Sequence, residues 1–327
     1  MTTHLDIHIP LKFKMRKDFF KTFLLLMLLT LMFGQLNTLN AQTLLTPTSI
    51  SQLNKLQDSL SAYSDSTVTV KDDVERIAYN TMFVKKLITA LKTPHSFQFN
   101  FDSLANNVTI LKAPNQSFRI FTWSLPFVDG TYKFYGTIQL ATKDGSLKLI
   151  PLNDDTENIA DDNLITNHKK WYGARYYEMI PVTYPGKNPY YILLGWKGNN
   201  DKTTKKVIEV LSLEKDEAIF GRNIFEVKRK ATNRNRIVFE YSKKNSMTLT
   251  FNKQVNMIVF DHLAPYEPDM EGNFEFYGSD LSFDGYAINY SRLYFKENIE
   301  VRNEASDLDE LYSTPRKATT LFQKGKH

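Results

Sequence analysis

The chain has 327 residues, of which 24% are charged, with a formal net charge of +5 and no cysteine. Without cysteine there are no disulfides, thiolate metal ligands, cysteine nucleophiles or lipobox cysteine for N-acylation, so stability must come from packing and hydrogen bonds. Five basic residues (Lys12, Lys14, Arg16, Lys17, Lys21) and two acidic ones (Asp6, Asp18) lie within residues 1–41 and account for three of the five positive charges; the near-neutral remainder gives no case for nucleic-acid binding.

The N-terminus reads as an export signal. Arg16, Lys17 and Lys21 precede the apolar run Phe23 to Phe33, and Ala41 stands ahead of Gln42 as a cleavage site requires. An eleven-residue helix rises about 16 Å, half of a ~30 Å hydrocarbon core, so cleavage is expected rather than anchoring, with no membrane-spanning segment afterwards. Met15 is the expected start, which makes residues 1–41 an over-called start plus a cleaved signal.

A helical segment is expected over residues 42–96. Ile50, Leu53, Leu56, Leu60 and Tyr63 recur at helical spacing from about Ser49 to Tyr63, with Ser49 or Ser51 as cap and Pro47 in a linker before it. A second helix runs from about Asp72 to Lys92, with Val74, Ile77, Ala78, Val84, Leu87, Ile88 and Leu91 as its apolar stripe. Asp72 and Glu75 form a capping box, and Thr93-Pro94 stops it. Both helices are amphipathic and need a partner surface.

From Phe97 the period falls to two, which defines a β-rich domain over 97–302. Strands are expected at 118–123, 132–140, 147–152, 176–183, 190–196, 207–213, 236–242, 247–251, 255–260, 273–277 and 286–295. Asp129-Gly130, Asp144-Gly145, Pro185-Gly186, Gly198-Asn199-Asn200, Lys244-Asn245 and Asp284-Gly285 read as turns between them. The expected fold is mainly β with N-terminal helices, an antiparallel sandwich or barrel-like sheet, with a small propeller-like fold as the alternative. Residues 303–327 read as an extended tail.

Candidate chemistry gathers at two places. The first is the expected strand end Phe260-Asp261-His262, where His262 would act as acid or base, oriented by Asp261 or by Glu240 on a neighbouring strand; the simpler reading is a turn and a structural histidine. The second is Trp196 to Asp201, where Trp196, Asn199, Asn200 and Asp201 could grip a sugar or a hard cation such as Ca²⁺, joined by Tyr266 from the aromatic-rich late segment. That loop lacks the spacing of an EF-hand, and a hairpin turn explains it more simply. Acidic residues Asp154, Asp155, Glu157, Asp161 and Asp162 read as a solvated loop or a cation trap, and Lys228-Arg229-Lys230 with Arg234 and Arg236 as a charged strand edge. No zinc-protease, phosphate-loop, dinucleotide or serine-elbow motif occurs, and no metal site is expected.

The segments Leu193-Leu194-Gly195-Trp196, Gly198-Asn199, Phe239-Glu240-Tyr241-Ser242, Ile258 to Pro265 and Phe283-Asp284-Gly285-Tyr286 resemble a group of uncharacterised exported proteins of Bacteroidota, over roughly residues 70–300. The group has no assigned activity, so the resemblance implies a Gram-negative envelope setting and no residue roles. With no sorting domain evident at the C-terminus, the periplasm is favoured over an outer-membrane or extracellular place. The expected function is non-catalytic binding of an envelope protein or polysaccharide through the β domain. The alternatives are a glycan or ester hydrolase using Glu240, Asp261 and His262, and a Ca²⁺-stabilised scaffold.

Overall fold

The computed structural model describes residues 45–215, 217–226 and 234–300. The expected signal peptide, the basic run at 228–230 and the expected tail lie outside the described residues.

Among the described residues two α-helices come first, α1 (Pro47–Thr69) and α2 (Asp73–Leu91). The cap of α1 is Thr46, whose Oγ1 accepts from the Ser49 amide at 3.1 Å, not Ser49 or Ser51. Pro47 opens the first turn, where its missing N–H costs nothing. Asp72 caps α2 as expected, accepting from the Glu75 amide at 2.9 Å. No helix among the described residues is long and apolar enough to cross a membrane.

Among the described residues fifteen strands, numbered in chain order, then build three open sheets. Strands β1 (Val108–Lys112), β2 (Phe118–Pro126), β3 (Tyr132–Leu140) and β4 (Lys148–Asn153) form an antiparallel meander, the first sheet. The second contains β5 (Thr166–Asn167), β6 (Arg175–Val182), β7 (Tyr190–Gly198), β8 (Thr203–Glu214) and β9 (Glu217–Phe220), in the order β5-β9-β8-β7-β6, with β11 (Ile237–Ser242) also paired to β8. The third runs β10 (Phe225–Glu226), β15 (Arg292–Lys296), β14 (Tyr277–Asn289), β13 (Met257–Pro265), β12 (Leu249–Asn252), and is antiparallel except at β10–β15.

The period of two explains the layering. One face of the first sheet, with Val108, Phe121 and Trp123, packs on Leu53, Leu60, Phe83 and Leu87 of the helices. Its other face, with Ile120, Ile138 and Ile150, packs on Tyr191, Leu193, Val207 and Leu211 of the second sheet. The alternate residues Tyr190, Ile192, Leu194, Ile208 and Val210 turn to the third sheet and meet Ile258, Phe260, Tyr286 and Leu293. The second sheet is covered on both faces, which is why β7 reads as the continuous apolar run Tyr190 to Leu194. The sheets stack as a sandwich and do not close into a barrel.

The late segment departs from expectation. Strand β13 does not end at Phe260 but continues to Pro265, and Asp284-Gly285 lies inside β14 rather than at a turn. The run 286–295 is not one strand. It reverses at Tyr290, which holds φ of 51°, and returns as β15. The stretch before Tyr277 is a single 3-10 turn at Phe274–Phe276.

Candidate functional site

Asp261 and His262 sit within a strand, not on a loop, and they do not act on each other. Asp261 is buried and its Oδ2 accepts from the Thr248 amide at 2.9 Å, which fixes the approach of β12. His262 occupies an irregular point of the β13–β14 pair: Asp261 pairs with Phe283 and Leu263 with Ser279, so Asp280, Leu281 and Ser282 bulge opposite one residue. Its Nδ1 lies 2.8 Å from Asp284 Oδ2, and its Nε2 lies 4.0 Å from Asp280 Oδ2. Asp284 is buried and also accepts from the Asn298 amide at 3.0 Å. The histidine is therefore oriented by Asp284, a residue that sequence reasoning assigned to a turn.

Glu240 belongs to another constellation. It stands opposite Lys205 in the β11–β8 register and pairs with it at 3.1 Å. Its Oε1 accepts from Thr203 Oγ1 at 2.7 Å and Asn199 Nδ2 at 3.0 Å. Among the described residues, Glu240 bonds Asn199, Thr203 and Lys205 while His262 meets Asp280 and Asp284, and Glu240, Asp261 and His262 line neither cavity described below.

The 194–201 stretch divides in two. Trp196 packs inward: its ring meets Tyr132 and Phe134 edge-on at 5.1 and 6.1 Å, and its Nε1 donates to Thr204 Oγ1 at 2.9 Å. Asn200 closes the β7–β8 turn, its Oδ1 accepting from the Lys202 and Thr203 amides at 2.9 and 2.8 Å. That oxygen is engaged by the backbone, and among the described residues no cluster of three or more His, Asp or Glu could hold a metal ion. Exposed Tyr266 lies apart, its hydroxyl accepting from Asn245 Nδ2 at 2.5 Å.

Lys197, Gly198 and Asn199 instead face a cleft of about 390 Å³. Two further segments complete it, the β2–β3 turn with Asp129 and the stretch Asp154 to Asn158, so Asp154, Asp155 and Glu157 of the acidic run share one site with Asn199, while Asp161, Asp162, Trp196, Asn200 and Asp201 do not line it. Two glycines permit the approach. Gly198 lies under the Tyr132 ring, where a Cβ would come within 2.4 Å of a ring carbon, and Gly130, at φ of 84°, lies against the Asp201 backbone.

A buried lysine forms the floor of this cleft. Lys197 is 2% exposed, and its Nζ donates to Thr156 Oγ1 at 2.8 Å, Gly173 O at 2.8 Å and Tyr172 O at 2.5 Å. Thr156 in turn donates to Asp154 Oδ1, and Asp154 Oδ2 accepts from the Phe134 amide at 2.8 Å. Three acceptors suit an ammonium, while burial works against the charge and pushes the pKa down to about 7, with Asp154 partly restoring it. Sequence reasoning passed over Lys197, although the alternation Leu193, Gly195, Lys197 puts it in phase with an inward-facing row. The mouth is polar, with exposed Glu157 and Asn158 beside half-buried Tyr132.

No protein-family model, curated protein or solved structure matches the chain.

Proposed function

We propose that this is an exported, non-catalytic binding protein whose β body holds a hydroxyl-rich polymer, a polysaccharide segment of the envelope, in the cleft between the first and second sheets. One observation carries the reading: segments around Asp129, Asp154 and Lys197, far apart in sequence, line one concave surface with carboxylates, an amide and a tyrosine ring. Fixed acceptors beside an aromatic face suit ligands that present hydroxyl donors and apolar ring faces together. The export setting comes from the basic and apolar N-terminus; finding the intact full-length chain in the soluble cytosol would remove it.

The test is titration of the purified protein with a panel of soluble envelope-type oligosaccharides. Glu157→Gln removes an exposed carboxylate at the mouth, and Tyr132→Leu removes the ring. Each should weaken binding about tenfold, a loss of about 1.4 kcal/mol, with E157Q leaving the melting temperature unchanged. Binding untouched by both variants would move the site elsewhere.

A hydrolase remains the second reading, favoured by the 2.8 Å contact between His262 and buried Asp284, an arrangement that orients an imidazole for proton transfer. It requires glycan or ester turnover that His262→Ala removes and that Glu240→Gln does not, since Glu240 is engaged with Lys205.

A further inference from the structure

Arg119 on β2 is fully buried, yet its hydrogen-bond acceptors are all neutral. Its Nε donates to Gln139 Oε1 at 2.8 Å, its Nη2 to Ser96 O at 2.8 Å and its Nη1 to Phe99 O at 2.5 Å. The rings of Phe97, Phe101 and Phe121 surround the guanidinium at 5.5, 5.2 and 4.8 Å. Among the described residues it has no carboxylate partner, whereas buried charges are ordinarily paired. Directly opposite in the β1–β2 register stands a second cation, Lys112, also without a carboxylate among the described residues. Like charges in facing positions of a sheet destabilise it. Burial, then the proximity of Arg119, lowers the Lys112 pKa, and burial lowers that of Arg119 to about 9.

Both cations border a cavity of about 370 Å³ whose other walls include Phe101, Val108 and Ile110. The one carboxylate on the wall, Asp102, is exposed and is ion-paired with neither cation among the described residues. We propose that this cavity is a binding site, separate from the polysaccharide cleft, for a carboxylate that carries a small apolar body. The carboxylate pairs with Lys112 Nζ, the half-buried and reachable cation. The apolar body lies against Phe101, Val108 and Ile110. Arg119 is covered by its neighbours and acts through its field, which a single anion offsets for both cations at once. A phosphate suits the site less, since its oxygens demand several direct donors and these walls offer mostly carbon.

The test titrates the full chain, at fixed ionic strength, with benzoate, with its neutral counterpart benzamide and with inorganic phosphate. Benzoate should raise the melting temperature saturably, by about 3 °C, while benzamide and phosphate do not. Lys112→Gln, with its fold verified by circular dichroism, should lower benzoate affinity at least tenfold. Independently of any variant, the Lys112 ε-methylene resonance of the wild-type chain should shift saturably with benzoate alone. The proposal is overturned by a static resonance, by equal responses to benzoate and benzamide, by an unchanged response in K112Q, or by a phosphate response exceeding that to benzoate.

Discussion

At the scale of single residues, a lone buried lysine and a buried ion pair set the energetics of the second sheet. Lys197 has an ordinary pKa of 10.5 when unfolded and about 7 in place. Between these values the unfolded chain holds a proton that the folded chain has released, so stability rises with pH across this window and is lost again as pH falls toward 7. From pH 7 to pH 9 the gain should be about 2 kcal/mol in urea denaturation, and Lys197→Met should lack it. Equal slopes for the two proteins would mean that the three acceptors hold the ammonium at full charge. The second case is Glu209 and Arg236, both fully buried and 2.5 Å apart. Arg236 also donates to the Asp162 and Leu164 carbonyls and lies over the Tyr172 ring. Arg236→Met strands a carboxylate in the core and should cost about 3–5 kcal/mol, whereas the double variant Glu209→Met/Arg236→Met should cost much less than the two single losses combined. Additive losses in that cycle would show that the residues contribute through packing rather than as a pair.

Among the elements, α2 shows what periodicity reveals and where it misleads. Its extent and its Asp72 cap were legible, because an apolar period and a capping residue are local signals. Its inward face was legible only in part: Leu87 and Leu91 are buried as expected, but the first turns are not. Val74 is 75% exposed and Ile77 46%, while Asn80 is buried, its Oδ1 accepting from Trp123 Nε1 at 2.8 Å. A polar residue with a partner 43 positions away looks like surface until that partner is known. Leu87→Ala should therefore cost about 2–5 kcal/mol, and Val74→Lys or Ile77→Lys less than about 0.5, as read from denaturant midpoints. Gly285 misled in a similar way. It looked like a turn glycine beside an aspartate, but it lies mid-strand, where a Cβ would come within 2.8 Å of Met257 Sδ and 2.9 Å of the Ile258 carbonyl. Asp284 points the other way, to His262. The strand β3 was legible end to end because both flanking turns carry glycine, and the β14–β15 hairpin was not because its turn uses Tyr290. Of the three segments of the cleft, two were visible as polar runs and one as a turn, but their meeting depends on pairings that local pattern does not encode.

For the molecule as a whole, the second sheet decides how it unfolds. Leu193 faces the first sheet and Leu194 the third, one residue apart on a single strand. If the third sheet separated, Ile192, Leu194, Ile208 and Val210 would meet water together, at about 1.5–3 kcal/mol for each side chain. If the first sheet and helices separated, Tyr191, Leu193, Val207 and Leu211 would do the same. Neither layer can leave without removing one of the two cores that hold β7 and β8, so the body from α1 to β15 should unfold in one step. The tryptophans make this measurable. Trp123 reports the core between the helices and the first sheet, and Trp171 and Trp196 the core between the first and second sheets, so none packs in the core of the third sheet. Leu194→Ala opens a cavity on the side the tryptophans do not see, at about 2–5 kcal/mol. It should nevertheless lower the urea midpoint read by tryptophan fluorescence as far as the midpoint read by far-ultraviolet circular dichroism. An unmoved fluorescence midpoint, with an early phase seen only by dichroism, would mean that the third sheet folds as a unit of its own. The stack would then be two cooperating bodies that share β7 and β8 as a common wall.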